Sequence, residues 1–497
     1  MITLNDSKNI ENIEKKEEDK SLEKTPKTND IEIEKKLERT RKLSIVEGSF
    51  SSIAGGAGEN YVSPYVLSLN ASNAEIGFLS SFPGLFGPLM QIFGSKLMEK
   101  YDRKKLIVAF VALQALSWLL FVIAGILFLR SFYPDLIVPF LIISYIINIT
   151  FGSIVSPSWF SMMGEITPEK MRGSYFAKRN RINGAIAIIV TIVAALWLDY
   201  SKKTDMVIYG FIALFVISAI GRSISAYYFT KHYIPKINFE KGYYFSFLQF
   251  IKKAPSNNFG HFAIYVALIN LTVSFAGPFF AVYMLKDLHF NYTWFTLVNI
   301  SASIFSVIMM PLWGKFADKY GNRELLRIGS LIVPFIPFFW LLNTNPIYLI
   351  LIPQLISGIG WAAFNLGASN FIYDAVTVQR RGIVIAYYSL LNGVAVFIGA
   401  SLGGLTAQYL NISFMNVFLF IFLISGIGRM IIVIFMLPHI KEVRKETTPI
   451  KKNPLFYIKH LNFINGTIHP IYGTLRNMMH PFSALKIRKD IKAKAKI

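Results

Sequence analysis

A glutamate lies within an apolar stretch near the start of the chain, GSFSSIAGGAGENYVSPY at residues 48–65. A carboxylate inside a membrane-spanning segment is a functional candidate, because such a group is costly to keep there. In a low-dielectric site, Glu59 can bind and release a proton. Three roles stay open for it: coupling transport to protons, binding a cationic or hydroxylated solute, and making a structural hydrogen bond. Glu47, nearer one end of the stretch, fits a gate or interfacial group better.

Five further polar side chains lie at a similar depth in apolar stretches and are candidates for contact with a solute or a proton. They are Asn60, Asn148, Asn270, Trp361 and Asn365. Amide and indole groups can bind hydroxyls, amides and rings, but each can equally make a hydrogen bond between packed helices. The stretches that carry them contain no lysine or arginine at mid-depth, which disfavours a strongly anionic substrate such as an organic phosphate.

Acids and arginines at the ends of apolar stretches are candidates for a gate. They occur in SKLMEKYDRKKL (95–106) and GKFADKYGNREL (314–325), and in EITPEKMRG (165–173) and DAVTVQRRG (374–382). Partly hydrated charge pairs are modest in energy, so a gate built from them can break and form again. The alternative is that they are ordinary loop charges. The predicted gate residues are Glu99, Arg103, Glu165, Arg172, Asp318, Arg323, Asp374 and Arg381.

Two arginines lie inside apolar stretches, each at the end of a sequence motif that occurs twice, ISAIGR at 217–222 and ISGIGR at 424–429. An unpaired charge at that depth is costly, so Arg222 and Arg429 must face protein or water, or reach the lipid headgroups. We expect each arginine to anchor the gate acid of its own half of the chain. Snorkelling to the headgroups is the alternative.

The repeated phrases indicate that the two halves of the chain are duplicates. The paired segments above recur in the same order, and Ile182-Asn183-Gly184 matches Leu391-Asn392-Gly393. The offsets between matched segments lie between 207 and 219 residues, a drift that changes in loop length explain. Internal repeats of this size with the same order of helices are typical of parallel duplicated membrane bundles.

The elements that must position these residues are membrane helices. The chain has 497 residues, of which 53% are hydrophobic, and it contains no cysteine. Its mean hydropathy is +0.46, which excludes an ordinary soluble protein. A helix needs about 20 residues to cross a bilayer. We predict an all-α integral membrane protein with twelve transmembrane helices in two pseudo-symmetric bundles of six. The twelve predicted spans, numbered span 1 to span 12, are 44–69, 73–96, 104–130, 135–161, 181–200, 206–231, 259–285, 291–314, 324–343, 346–374, 382–409 and 412–437.

Loop charges predict the orientation of the spans. Most loop lysines and arginines fall at the ends that follow spans 2, 4, 6, 8 and 10, so that side is predicted to be cytoplasmic, with both termini. The predicted domains are a disordered tail (1–42), a first bundle (43–231), a central cytoplasmic loop (232–258), a second bundle (259–437) and a basic tail (438–497). The basic tail is expected either on the anionic inner leaflet or in solvent.

The order of these motifs resembles the major facilitator superfamily over residues 43 to 437. The family's loop signature, G-x-x-x-D-R/K-x-G-R/K-R/K, is similar to GKFADKYGNR at 314–323, with Asn322 departing from it. The first copy, SKLMEKYDRK, has Ser95 and Asp102 where the family has glycine. The resemblance implies a cavity lined by spans 1, 4, 7 and 10. It also implies a gate network that forms when that cavity faces outward.

The predicted function is a permease of the plasma membrane that moves a small organic solute by alternating access, coupled to protons. The alternative is a sensor or scaffold with a transporter fold. Sugar or metabolite uptake and drug or metabolite efflux stay open, because the marks of sugar porters and of drug/proton antiporters are incomplete. The loops are too short for a catalytic domain, so an enzyme is not expected. We also expect no cofactor, no metal site and no nucleic-acid partner, contact with the lipid bilayer, and a monomer.

Overall fold

The computed structural model describes residues 28–235, 246–376 and 378–443. Within those ranges the secondary structure is helical, without strands. Ten of the described helices are long and apolar enough to cross a membrane. Large apolar side chains are exposed along these helices, as a lipid-facing surface requires; examples are Leu116, Ile189, Val193, Val307 and Ile434. The chain is therefore an all-α integral membrane protein, as the sequence predicts.

The first six spans are formed by residues 28 to 230. Span 1 comprises Thr28–Ala57, a 3-10 turn at Glu59–Tyr61 and a short helix at Val62–Ser68. Spans 2 to 6 are the helices Asn73–Lys100, Arg103–Leu129, Pro134–Ile166, Glu169–Lys203 and Val207–Thr230. Span 5 begins twelve residues earlier than predicted, so Lys178 and Arg179 lie in a helix and not in a loop.

The last six spans follow a short helix at Phe247–Lys253. Span 7 is Asn258–Val282 with a π-helical turn at Tyr283–Asp287, and span 8 is Tyr292–Tyr320. Span 9 is divided into Asn322–Ile332, a 3-10 turn at Val333–Phe335 and Ile336–Phe339. Span 10 comprises Pro346–Leu349, a π-helical turn at Ile350–Gln354 and Leu355–Ala375. Spans 11 and 12 are Val378–Tyr409 and Val417–Met436.

Glycine and proline explain why spans 1 and 9 are interrupted. Span 1 breaks after GGAG at residues 55–58, where three glycines weaken the helix, and Pro64 then removes a backbone donor. Span 9 carries Pro334 and Pro337 in and just after its 3-10 turn. Each break frees backbone carbonyls and redirects the side chains that follow it, which matters for the site described below.

The first bundle begins earlier than the sequence predicts. Residues 28–42 belong to the helix Thr28–Ala57, so the prediction of a disordered tail over 1–42 is wrong for this part. Arg41 is buried and donates to the Ile166 carbonyl at 2.8 Å, and Tyr175 donates to the Arg41 carbonyl at 2.9 Å. These contacts hold a polar segment as helix although it has no apolar face. Residues 1–27, and residues 444–497 of the predicted basic tail, lie outside the described residues.

The chain folds into two compact units. The first consists of Met1–Tyr244, Ala267–Leu297 and Ala386–Ile421. The second consists of Phe245–Val266, Val298–Ile385 and Phe422–Ile497. A core in the first unit packs Ile107, Val155, Met162 and Met163 against Phe229. A core in the second unit lies around Trp313, Phe316 and Leu325, against Ala362 and Ala363.

Small residues allow backbones to approach closely within each unit. In the first unit, a Cβ added to Gly77 of span 2 would lie 2.7 Å from the Ala400 carbonyl oxygen and from the Gly404 Cα of span 11. In the second unit, a Cβ on Gly329 of span 9 would lie 2.8 Å from Phe364 Cα and 2.9 Å from the Gly360 oxygen of span 10. Membrane helices associate through such contacts because lipid offers no hydrophobic driving force between them.

We expect Gly329→Ala to destabilise the protein, because the new methyl group meets backbone that cannot rotate away. Overpacking of this kind costs about 1–3 kcal/mol. The matched control is Gly277→Ala in span 7, where an added Cβ has no atom within 4 Å. Thermal unfolding in detergent should give a lower midpoint for Gly329→Ala and an unchanged or higher one for Gly277→Ala. Equal midpoints for the two variants would contradict the close approach of spans 9 and 10.

Candidate functional site

Glu59 lies at the break in span 1, in the 3-10 turn Glu59–Tyr61, and its side chain is exposed. Among the described residues, no hydrogen bond or ion pair joins a partner to its carboxylate, and its Oε2 lies 3.8 Å from a Cβ built on Gly55. The break fits tightly against its neighbours, since a Cβ on Gly58 would lie 2.6 Å from Ser218 Oγ and 2.8 Å from Trp118. A closely packed turn therefore presents an exposed carboxylate.

Span 5 holds this turn in place through Thr191. The Asn60 amide donates to Thr191 Oγ1 at 2.9 Å, and the Tyr61 hydroxyl donates to the Thr191 carbonyl at 2.5 Å. Thr191 Oγ1 itself donates to the Ala187 carbonyl at 2.8 Å. Asn60, predicted as a solute contact, thus has a positioning bond in this structure, while the neighbouring Glu59 does not.

The other predicted polar residues are divided between packing and open positions. Asn148 is fully buried and donates to Ser117 Oγ at 2.9 Å, a bond between spans 3 and 4 that fits the packing alternative. The Asn270 amide donates to Asn392 Oδ1 at 2.6 Å, which joins spans 7 and 11 in the first unit. In the second unit, Asn365 is exposed and Trp361 is half-buried, with its ring 5.4 Å from the Phe364 ring.

The gate acids make equivalent contacts in the two halves. Arg103, which is 5% exposed, binds Glu165 through two bonds of 2.5 and 3.0 Å and also contacts the Pro235 carbonyl. The Asn322 amide donates to Asp374 Oδ2 at 2.5 Å. The aligned loop segments place Arg103 opposite Asn322, and Glu165 matches Asp374. In each half the acid thus binds the first helical residue of the third span of six.

Among the remaining gate residues, the structure gives the partners of Arg323. Arg323 binds Glu324 at 2.6 Å, and its Nε donates to the Ile440 carbonyl at 2.6 Å. Its backbone N–H donates to Glu442 at 2.9 Å. Glu99 and Asp318 are exposed and also make contacts. The side chains of Arg172 and Arg381 lie outside the described residues, so their pairing with Glu165 and Asp374 stays a prediction.

The two intramembrane arginines do not bind the gate acids, so that expectation is wrong. Arg222 donates to Gln114 Oε1 and to Ser51 Oγ, each at 2.8 Å, and its Nη1 lies 3.9 Å from Glu47. Arg429 is 3% exposed and donates to Ser425 Oγ at 2.9 Å and to the Val333 carbonyl at 3.3 Å. Both arginines are held inside their own halves, and snorkelling to the headgroups is excluded for Arg429 by its burial.

The partners of Arg222 and Arg429 occupy equivalent positions in the two halves. The offset of 219 residues between Ser95 and Gly314 takes Gln114 to Val333. In the second half, Pro337 has no N–H to donate to the Val333 carbonyl four residues earlier, and Arg429 supplies that bond instead. In the first half the arginine meets the Gln114 side chain. Each arginine therefore ties the sixth span of its half to the third.

A further charged cluster joins spans 1, 5 and 6 in the first half. Glu47 is 2% exposed, its Oε2 lies 3.5 Å from Arg179 Nη2, and its Oε1 accepts a 2.8 Å bond from Ser225. Arg179 was not singled out from the sequence, because it was placed in a loop. Helical spacing from Asn183, four residues later on the same helix face, could have indicated that it points at span 1.

An acid of span 5 closes the opposite end of the first unit. Asp199 Oδ1 accepts from the Tyr292 N–H at 2.7 Å, and its Oδ2 accepts from the Thr293 N–H at 3.0 Å and from the Thr293 hydroxyl at 2.5 Å. The free N–H groups and the dipole at the start of span 8 favour a negative charge there. Nearby, Tyr61 Oη and Thr296 Oγ1 are 3.1 Å apart. These contacts join spans 1 and 5 to span 8.

The family comparison covers most of the chain. A family model described as Major Facilitator Superfamily matches residues 48–262 and 262–487, once for each half. An uncharacterised MFS-type transporter of Methanocaldococcus jannaschii is 25% identical over 379 residues, which is 73% of this chain and 91% of that protein.

Two other similarities are more limited. The match to multidrug resistance protein 1 of Bacillus subtilis, 24% identical over 147 residues, spans 29% of this chain and only 38% of that protein. Among solved structures, the xylose transporter XylE from E. coli in an inward-open conformation gives a TM-score of 0.56 at 17% identity, covering 82% of this chain and 96% of that one. This similarity concerns the fold.

We expect Asp199→Ala to loosen the closed end of the first unit, because three hydrogen bonds to one carboxylate are lost. A loss of about 1–2 kcal/mol corresponds to a factor of roughly 5–30 in the open population. The chain has no cysteine, so a single Thr296→Cys reporter, at a site that is 3% exposed, can be labelled cleanly with a maleimide. Asp199→Ala should accelerate that labelling by the same factor.

The control is Asp135→Ala, which removes an exposed acid from the start of span 4 without a contact to span 8. Its labelling rate should equal that of the reporter alone. Equal rates for Asp199→Ala and Asp135→Ala would show that the cap does not hold this end closed.

Proposed function

The chain belongs to the major facilitator superfamily, and we propose that it moves a small organic solute across the plasma membrane by alternating access, with protons as the coupling ion. Membrane transport of the superfamily type follows from the family match, the transporter relatives and the helical spans. Solute class, coupling and sidedness are the proposal. The observation that carries it is the exposed Glu59 carboxylate at a break in a membrane span, without a hydrogen-bond partner among the described residues.

The surroundings of Glu59 suit a group that changes its protonation state. An intramembrane carboxylate without a fixed counter-ion can be neutral or charged according to the side from which the site is reached. The turn around it is fixed by Asn60 and Tyr61 bonding to Thr191, so a proton or solute can come and go without refolding the helix. In our proposal Glu59 carries the proton, and Asn60 beside it lies along the path of the solute.

Alternating access needs an end that closes and reopens, and two sets of contacts support that role. The Asp199 cap of span 8 is built from hydrogen bonds to one partly buried carboxylate, which can break without leaving an apolar cavity. The Arg103–Glu165 pair lies at the other end of the first bundle, where the loop charges predict the cytoplasm. We propose that the chain works as a monomer with both termini on that side.

The solute class can be tested without knowing the solute. The full chain, purified in detergent, is screened by thermal unfolding against sugars, amino acids, organic acids and lipophilic drugs. A compound at 100 times its dissociation constant should stabilise the protein by about 2.7 kcal/mol. Stabilisation by polar nutrients would favour uptake, and stabilisation only by lipophilic compounds would favour export. A folded sample that no compound stabilises would favour the sensor or scaffold alternative.

We expect Glu59→Gln to abolish proton-driven accumulation and to leave exchange intact. In vesicles that contain the purified protein, a pH gradient should drive the wild-type chain to accumulate a compound found in the screen. Glu59→Gln should still exchange that compound against itself but should accumulate none, because the amide cannot carry a proton. Asp135→Asn, which removes an exposed acid at the start of span 4, is the matched control and should accumulate normally. Gradient-driven accumulation by Glu59→Gln would exclude Glu59 as the coupling group.

A further inference from the structure

Glu47, Arg179 and Arg222 form the charged cluster of the first half. None of the three belongs to the predicted gate or to the break in span 1. The carboxylate of Glu47 lies between the two guanidinium groups, with Oε2 3.5 Å from Arg179 and Oε1 3.9 Å from Arg222. Neither distance is a hydrogen bond. Ser225 donates to Oε1 at 2.8 Å, whereas Oε2 is buried and accepts no hydrogen bond from the described residues. Glu47 is therefore loosely paired for a buried acid.

The cluster carries one positive charge in excess. The titratable and charged groups around Glu47 are Arg179 and Tyr175 of span 5 and Arg222 of span 6. Spans 3 and 4 add only uncharged groups: Gln114 accepts from Arg222, and the Trp159 ring lies 4.9 Å from the Arg179 guanidinium. Glu59 also attracts Arg222 without an ion pair to it, so the excess of one positive charge holds while Glu59 is neutral. An uncompensated charge inside a membrane bundle is expensive, so a site of this kind favours an anion.

Exposure decides which groups an incoming anion can reach. The side chains of Arg179 and Arg222 are 12% and 14% exposed, whereas that of Glu47 is 2% exposed. Gly48, next to Glu47, allows this approach, because a Cβ there would lie 2.7 Å from Arg179 Nη2. A solute can therefore contact both guanidinium groups while Glu47 stays behind them.

The duplicated half shows that the fold does not require this cluster. Arg429 repeats Arg222, and it binds a backbone carbonyl and a serine without an acid. The offset of 209 residues between Glu165 and Asp374 takes Arg179 to Tyr388. The second half thus keeps the structural arginine and lacks its charged partner. Glu47 and Arg179 are additions to a scaffold that folds without them.

We propose that Arg179 and Arg222 bind the carboxylate of a monocarboxylic solute when Glu47 is protonated, so that Glu47 sets the pH dependence of binding while Glu59 carries the coupled proton. Protonation of Glu47 raises the charge of the cluster from one to two, and a bound monoanion returns it to one. The loaded and empty sites then carry the same charge, so neither state adds a buried charge. A dianion such as an organic phosphate would leave the loaded site with a different charge from the empty site.

Anion binding by the full chain in detergent can be measured from the unfolding midpoint. The probes are acetate, lactate and benzoate, each compared with its uncharged amide, at pH 5.5 and pH 7.5. We expect the carboxylates and not the amides to stabilise the wild-type chain, more strongly at the lower pH. Glu47→Gln should bind at least about tenfold more tightly at pH 7.5 and lose the pH dependence, because no acid competes for the arginines.

Arg179→Gln should weaken binding by at least about tenfold at both values of pH. Arg181→Gln, an exposed arginine on the same helix, is the matched control and should behave as the wild-type chain does. If Arg179→Gln fails to fold, Arg179→Lys, which keeps a point charge, should retain part of the affinity. Equal affinity in the wild-type chain and the Arg179 variants would overturn the proposal, and so would the absence of carboxylate binding.

This site rests on the proposed function only in that its ligand is the transported solute, and the two can fail separately. If carboxylates bind with this pattern but the protein transports nothing, the binding site is confirmed and the proposed transport function is wrong. If the protein transports another compound and binds none of the three carboxylates, the transport function is confirmed and the proposed carboxylate site is wrong. Glu59→Gln should keep its carboxylate binding, since the amide reproduces the neutral form of Glu59, in which the site carries its excess positive charge.

Discussion

The constraint on which this structure depends is that a guanidinium group inside a membrane bundle must find its partners within the protein. Arg429 meets that constraint with the Val333 carbonyl, which Pro337 has left without its helical donor. Arg222 meets it with Gln114 and Ser51. In both halves the arginine joins the sixth span to the third, so a costly charge becomes a cross-link between helices.

Other contacts repeat in the same way, and they give the duplication a physical meaning. Glu165 binds Arg103 as Asp374 binds Asn322, at the first residue of spans 3 and 9. Asn183 accepts a 3.3 Å bond from Ser49 of span 1, and its counterpart Asn392 accepts one from Asn270 of span 7. Segments that recur in the sequence therefore recur as contacts between the same pairs of helices. Polar residues in these repeats mainly position helices.

The residues that we propose to act in transport lie where the two halves of the chain differ. The break of span 1 presents Glu59, and the Glu47–Arg179 pair has no counterpart around Arg429. A duplicated scaffold can hold such additions because the contacts of Arg429 that join its helices form without an acid. The Asp199 cap of span 8 is likewise a contact of one carboxylate with a helix start, suited to an end that opens and closes.

The sequence by itself determined the helical membrane fold, the duplication and the candidate acid Glu59, because hydropathy, repeat spacing and an acid in an apolar stretch are local signals. The sequence did not determine which residues contact one another. Arg179 was placed in a loop, Arg222 and Arg429 were expected to bind the gate acids, and residues 28–42 were expected to lack structure. These outcomes depend on which helix faces meet. Only the tertiary structure decided that Arg222 faces Gln114 and Glu47, since close glycine contacts such as that of Gly221 with the Phe50 carbonyl fix the rotation of the span.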